Sequence, residues 1–321
     1  MSLRSSKGKI ISAVIACYND GQAIPQMHQR LTSTFNKIGI DYEIIFVNDG
    51  STDDSEAILR KICKEDKKTT AILHSRNFSS QNAFTSGMVQ SKGDLLVLLD
   101  GDLQDPPEII AEFVKEWEKG NDVVYGVRSK REGSKILNFF YKSFYRLFQK
   151  ISYINVPLDA GDFSLMDRKI VRIINNMPEK DRYLRGMRAW VGFRQKGVEY
   201  TRPERPYGTS TNNMFRNIRW ARKGIFSFSY IPLEFVSYLS YFVVFLSVIA
   251  LFIYLLFYFF SSGVPEGFTT IIVLVLFLGG VQLLSISFLA EYIGKILEET
   301  KSRPKFIVKE IINDNRTDKK D

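Results

Sequence analysis

Asp100-Gly101-Asp102 sets two carboxylates in one short loop, directly after the apolar run Asp94–Leu99. Adjacent carboxylates repel, so the pair costs stability unless a cation joins it. Mg²⁺ is commonly held by one or two carboxylates together with substrate phosphates. A diphosphate leaving group in turn needs its charge neutralised as its bond breaks. The loop continues Leu103-Gln104-Asp105-Pro106-Pro107, and the prolines suit the start of a helix. Two other apolar runs end in the same manner. Ile15-Ala16 leads into Cys17-Tyr18-Asn19-Asp20, and Phe46-Val47 into Asn48-Asp49-Gly50-Ser51-Thr52-Asp53. Singly, Asp49-Gly50 is a turn signal and Asp53 a helix cap. Three polar, acidic run-ends together point to one site.

The runs themselves say how those ends are held. Ile10–Ala16, Tyr42–Val47, Thr70–Leu73, Asp94–Leu99 and Asp122–Val127 are short, apolar and rich in β-branched residues. Stretches with helical spacing, such as Asp53–Lys64 and Pro107–Lys119, lie between them. This alternation predicts an α/β fold with a mostly parallel sheet covered by helices. In such sheets the ligand binds outside the carboxyl ends of the strands, where the three acidic loops fall.

The chain carries a net charge of +9, yet from Ser229 to Gly294 there is no Lys, Arg, Asp or His. A basic domain joined to an uncharged apolar segment points to anionic partners such as phosphates or membrane headgroups. Residues 134–151 place Lys135, Lys142, Arg146 and Lys150 near helical spacing among aromatic and aliphatic residues, which suits a membrane interface. Met214–Lys223 is a second basic stretch just before the apolar segment. Phe235–Phe260 and Phe268–Ala290 are each long enough to cross a hydrocarbon core of about 30 Å. Basic residues flank the pair outside and are absent from the connector Ser261–Gly267, which predicts a hairpin with both chain ends in the cytoplasm. No secretory signal is evident at the N-terminus, and two cysteines without metal spacing fit a reducing compartment.

Asn48-Asp49-Gly50-Ser51-Thr52-Asp53 and Asp100-Gly101-Asp102-Leu103-Gln104-Asp105-Pro106-Pro107 resemble the two signatures of family 2 glycosyltransferases. More closely, the chain resembles the polyprenyl-phosphate branch, which includes dolichyl-phosphate mannose synthases and bacterial undecaprenyl-phosphate glucosyltransferases. Ala160-Gly161-Asp162-Phe163, Met177-Pro178-Glu179, Arg182-Tyr183-Leu184-Arg185-Gly186 and Trp190-Val191-Gly192-Phe193 fit the bacterial type, over about residues 10–295. The resemblance implies a glycosyltransferase A-type, Rossmann-like α/β domain followed by a two-helix transmembrane hairpin. It implies that Tyr18, Asn19 and Asp49 hold the nucleotide, Asp49 at the base. Asp100 and Asp102 would hold ribose and the metal-diphosphate, with Gln104 beside them and Mg²⁺ or Mn²⁺ as cofactor. Asp162 matches the acidic residue near the acceptor, and Arg128, Arg131 and Arg205 fall at phosphate-binding arginines.

The organisation expected is a nucleotide-sugar half in residues 1–133 and an acceptor-side half in 134–230. A hairpin in 231–294, with spans near 235–260 and 268–290, and a cytoplasmic tail in 295–321 would follow. The implied reaction passes a hexose, glucose first, from a UDP-sugar to undecaprenyl phosphate. UDP-N-acetylglucosamine, GDP-mannose and a non-catalytic membrane-tethered scaffold are the alternatives. A homo-oligomer is expected, and a nucleic-acid partner is not. The sequence departs from the family at Asn19-Asp20, where Asn-Glu is usual, at Ser79-Ser80-Gln81, where Gly-Lys-Glu is frequent, and at Ser210-Thr211-Asn212, where Ser-Lys-Tyr is common. His28 and His74 lack metal-ligand spacing and read as structural. A lipid phosphate monoester is largely a dianion at neutral pH, so it can attack an anomeric carbon without a strong base. Asp162 is then expected to position arginines rather than remove a proton.

Overall fold

The computed structural model describes residues 4–128, 160–207, 229, 231–260 and 267–314. They divide into an α/β unit (4–128, 160–207 and 303–314) and a helical unit (229–302).

In the α/β unit the five expected strands are β1 (Ile10–Cys17), β2 (Asp41–Asn48), β3 (Thr69–His74), β4 (Leu95–Asp100) and β5 (Val123–Arg128). Between them lie α1 (Ile24–Ile38), α2 (Ser55–Glu65), α3 (Ser80–Gln90) and α4 (Ile110–Glu118). Then come β6 (Ala160–Asp167), α5 (Arg168–Asn176), α6 (Leu184–Trp190) and β7 (Gln195–Tyr200). A final strand, β8 (Val308–Ile312), lies beyond the apolar helices. The sheet order is β7-β5-β6-β4-β1-β2-β3-β8. β1 is parallel to β2 and β4, β2 to β3, and β5 to β7, whereas β6 and β8 run antiparallel to their neighbours. The ends of β1 to β5 and β7 therefore share one edge with the beginnings of β6 and β8. That geometry brings Gly161 and Asp162 to the acidic loops.

The helices cover the sheet because their apolar residues recur on one face. In α1 the buried set Ile24, Met27, Leu31, Thr34 and Phe35 follows helical spacing, Pro25 suits the first turn, and left-handed Gly39 closes the helix. From β1, Ile11, Ala13 and Ile15 meet Phe35, Phe46 and Leu99 in the core.

In the helical unit, α7 (Ile231–Phe260) and α8 (Phe268–Thr300) are both long and apolar enough to cross a membrane. The Tyr292 hydroxyl donates to the Ser229 carbonyl at 3.1 Å, so the end of α8 meets the start of α7 and the pair is antiparallel. Ser237, Ser240, Ser247 and Ser285 each return a hydroxyl proton to the carbonyl four residues back. Inside hydrocarbon that bond satisfies a group that water cannot reach.

The expected interfacial helix in 134–151, the stretch Met214–Lys223 and most of the connector lie outside the described residues. Part of the stretch read as tail is a strand: Val308–Ile312 pairs with β3 and belongs to the α/β sheet. A strand of only five residues, Val-Lys-Glu-Ile-Ile, without alternation, carries little local signal, and pairing with the open edge of β3 decides it.

Candidate active site

The first two loops are tied together by side chains. Asn19, in the left-handed region at φ 56°, accepts the Thr52 N–H at 2.8 Å through Oδ1, and its own N–H donates to Ser51 Oγ at 3.0 Å. Asp53 accepts from Gly21 N at 3.0 Å and from Ser55 N at the start of α2. Asp49 is 2% exposed, and its Oδ1 accepts from Phe78 N at 2.9 Å and faces His74 Nδ1 at 2.8 Å. Gly50 (φ 69°) must be glycine, because a Cβ there would lie 2.4 Å from the Arg76 carbonyl carbon. Tyr18 is exposed at the mouth of these loops.

The Asp100–Asp105 loop packs on the end of β1. Gly101 donates to the Ala16 carbonyl at 2.9 Å, and a Cβ at Gly101 would stand 2.8 Å from Cys17 Sγ. Asp102 Oδ1 accepts the Gln104 N–H at 3.1 Å, and its Oδ2 lies 3.7 Å from the Arg202 guanidinium. Buried Asp105 accepts from the Tyr200 hydroxyl at 2.7 Å. Burial pushes the Asp100 carboxyl well up, and the charges of Asp105, Asp102 and Asp162 push the same way. Three carboxylates crowded at one loop are what a cation would relieve. Among the described residues, no group of three or more His, Cys, Asp or Glu is arranged to hold a metal ion. The pair Asp100 and Asp102 suits a cation that takes its remaining ligands from phosphate and water.

At the start of β6, Asp162 is 8% exposed and receives a two-pronged contact from Arg185: Nε to Oδ1 at 3.2 Å and Nη2 to Oδ2 at 3.1 Å. Gln81 adds its amide to Oδ2 at 3.1 Å, while its carbonyl accepts the Leu184 N–H at 2.8 Å. Burial alone would raise the Asp162 carboxyl, but Arg185, the charge of Arg188 and Gln81 hold it below the usual range. Arg188 is buried against Tyr125 and donates to the Gly161 carbonyl, and burial lowers its pKa to about 10. The Arg128 guanidinium lies against Gly161, where a Cβ would come within 3.2 Å of it. Arg185 and Arg188 thus act on the one carboxylate of Asp162, whereas the Arg128 guanidinium faces Tyr200 and the charge of Asp105.

The expected residues therefore fall in two zones on one sheet edge. Tyr18, Asn19, Asp49, Asp100, Asp102 and Gln104 line the first, and Asp162 with Arg128 the second. Arg131 lies outside the described residues. Arg205, expected among the phosphate-binding arginines, is paired with Asp20 at 2.7 Å beside the first loop. Gln104 reaches the Pro203 carbonyl at 3.2 Å. Sequence reasoning assigned no role to Arg185, Arg188, Gln81, Asp105, Tyr200 or Arg202. Arg185 and Asp105 stand in segments marked by resemblance and Gln81 in a stretch that departs from it, whereas Arg188, Tyr200 and Arg202 carried no local signal.

The family model described as "Glycosyl transferase family 2" matches residues 12–174, from β1 to α5. This chain belongs to that family. As a family 2 glycosyltransferase it is 39% identical to the uncharacterized glycosyltransferase YkcC of Bacillus subtilis, covering 92% of each chain. It is 36% identical to the bactoprenol glucosyl transferase of Shigella phage SfX, over 93% of this chain and 98% of the relative. It is also 34% identical to a prophage bactoprenol glucosyl transferase homolog of Escherichia coli, over 94% and 99%. Among solved structures, the glycosyltransferase is similar to glucosyl-3-phosphoglycerate synthase from Mycobacterium tuberculosis, with 18% identity, a TM-score of 0.46 and coverage of 68% of this chain and 80% of that one.

Proposed function

We propose that this glycosyltransferase moves a hexose, glucose first, from a UDP-sugar to a polyprenyl phosphate at the cytoplasmic face of a membrane, inverting the anomeric centre. The observation that carries the reading is the meeting of two zones on one sheet edge, acidic after β2 and β4 and, beside the start of β6, lined by arginines of β5 and α6. Full-length relatives named for bactoprenol glucosyl transfer support the acceptor.

In this reading Asp49 accepts from the base, while Asn19 and Tyr18 border the nucleotide. Asp100 and Asp102 would hold a divalent cation, Mg²⁺ or Mn²⁺, whose charge offsets that of the departing diphosphate. Gln104 stands beside them. Arg128, with Arg185 and Arg188 behind Asp162, orients the lipid phosphate through charge-assisted bonds. The dianionic phosphate is itself the nucleophile, and Asp162 positions Arg185. The hairpin keeps the domain where its lipid acceptor resides. The described segments before and after the hairpin, to residue 207 and from 303, both belong to the α/β unit. This supports a twice-crossing anchor with both ends on one side.

The test is transfer from labelled UDP- and GDP-sugars to undecaprenyl phosphate in detergent with Mg²⁺. An organic-soluble product that Asp102→Asn abolishes is expected. A folded enzyme that binds UDP yet labels no lipid with any donor would refute the acceptor.

A further inference from the structure

His74 ends β3 at the same sheet edge and is fully buried. A carboxylate only accepts, so the 2.8 Å approach of Nδ1 to Asp49 Oδ1 places the proton on Nδ1. Nε2 lies 2.9 Å from Ser86 Oγ, whose hydroxyl also reaches the Ala83 carbonyl at 3.2 Å. Phe306, just before β8, stacks on the imidazole at 5.4 Å with planes 8° apart. The Ser75 N–H donates to the Ile307 carbonyl at 3.0 Å, so the returning strand fixes that stack. The Phe78 N–H also donates to Asp49 Oδ1. Two donors therefore occupy one oxygen, and Oδ2 has no partner among the described residues.

We propose that His74 is a positioning residue for nucleobase selection, held in place by Phe306 of the returning strand, and that it leaves Asp49 one oxygen for a uracil imide. This rests on the proposed UDP-sugar reaction and deepens it. A uracil offers one N–H between two carbonyls, which a single carboxylate oxygen matches. Guanine presents two adjacent N–H donors that call for both oxygens, and Oδ1 is already taken. Cytosine presents an acceptor at the same position, which a carboxylate repels. The selection is thus by hydrogen-bond count as well as by shape.

The experiment measures UDP, GDP and CDP binding by calorimetry on the full-length enzyme in detergent, alongside KM and kcat for the UDP-sugar. His74→Leu is expected to weaken UDP binding and raise the donor KM about tenfold, the value of one charge-assisted bond. It should also narrow the UDP-to-GDP preference and leave the lipid KM unchanged. His74→Asn, whose amide can occupy the Nδ1 position, should restore UDP binding. Phe306→Leu should weaken it more mildly. A merely structural role would lower the active fraction without moving the donor KM, and that result overturns the proposal. So do unchanged UDP affinity and base preference in folded His74→Leu. If His74→Leu does not fold, the other two variants decide: unchanged UDP binding in Phe306→Leu, or no recovery in His74→Asn, overturns it. Binding reads this inference and lipid labelling reads the reaction, so either can fail alone.

Discussion

Asp162 shows how much of a residue's chemistry comes from its neighbours. Burial alone would push its carboxyl up, yet the Arg185 fork, the Arg188 charge and the Gln81 amide hold it below the usual range. A carboxylate held ionised this firmly is a poor base and a good anchor for guanidiniums. Asp162→Asn is therefore expected to retain measurable transfer, whereas Arg185→Ala should raise the lipid KM about tenfold or more. Steady-state kinetics with varied lipid phosphate checks both, and an Asp162→Asn enzyme as inactive as Asp102→Asn would end the positioning role. A stability effect accompanies this. Because the folded pKa is depressed, the charge contributes stability that is fully present above the unfolded value near 3.9 and is lost as pH falls through the folded value. Asp162→Asn should cost about 1–3 kcal/mol at neutral pH. The gap should close in acid when denaturant midpoints are compared.

Among the elements, β8 does what its sequence does not advertise. Unpaired, β3 would be an open edge. β8 covers it and is held by more than the ladder. The Asn313 amide, in the left-handed region at φ 56°, lies within reach of the Thr69, Lys67 and Asp66 carbonyls at 2.7, 3.1 and 3.4 Å. Arg60 bridges Glu56 on its own helix to Glu310 on β8, and Gln90 donates to Asp314 at 2.7 Å. The exposed ion pairs add little, so the buried ends of the Asn313 contacts should dominate. Asn313→Ala is expected to destabilise the α/β unit by about 1–2 kcal/mol and to speed amide exchange in β3 ahead of β1. Uniform acceleration across the sheet would argue against a local clasp.

For the whole molecule, the same chain end closes the sheet after the apolar hairpin, which ties the anchor to the catalytic unit through two covalent connections. Proposed as a double crossing, the hairpin places its connector opposite both ends. Cys17 and Cys63 are buried, so the native background for a membrane-impermeant thiol reagent is low. Ser262→Cys and Ser302→Cys should label from opposite faces of sealed vesicles, the first from outside and the second only in inverted ones. Labelling of both from one face would rule out the crossing.

Much of this was legible in the sequence because the signals were local. Short, continuous apolar runs rich in β-branched residues gave β1 to β5, Asp-Gly steps marked the loops after β2 and β4, and two uncharged runs gave the hairpin. Asp162 was found by resemblance alone, since nothing around it marks a carboxylate as functional. Tertiary structure decided which side chains meet. Arg185 and Gln81 reach Asp162 only because β6 runs antiparallel and starts where the parallel strands end. Arg205 meets Asp20 from far along the chain, because charge pairing follows distance in the fold. His74 read as structural, yet the sheet register sets it beside Asp49, and β8 sets Phe306 on its ring. Spacing along the chain specifies elements, because backbone periodicity is local. Only packing across the sheet specifies partners that lie far apart in sequence.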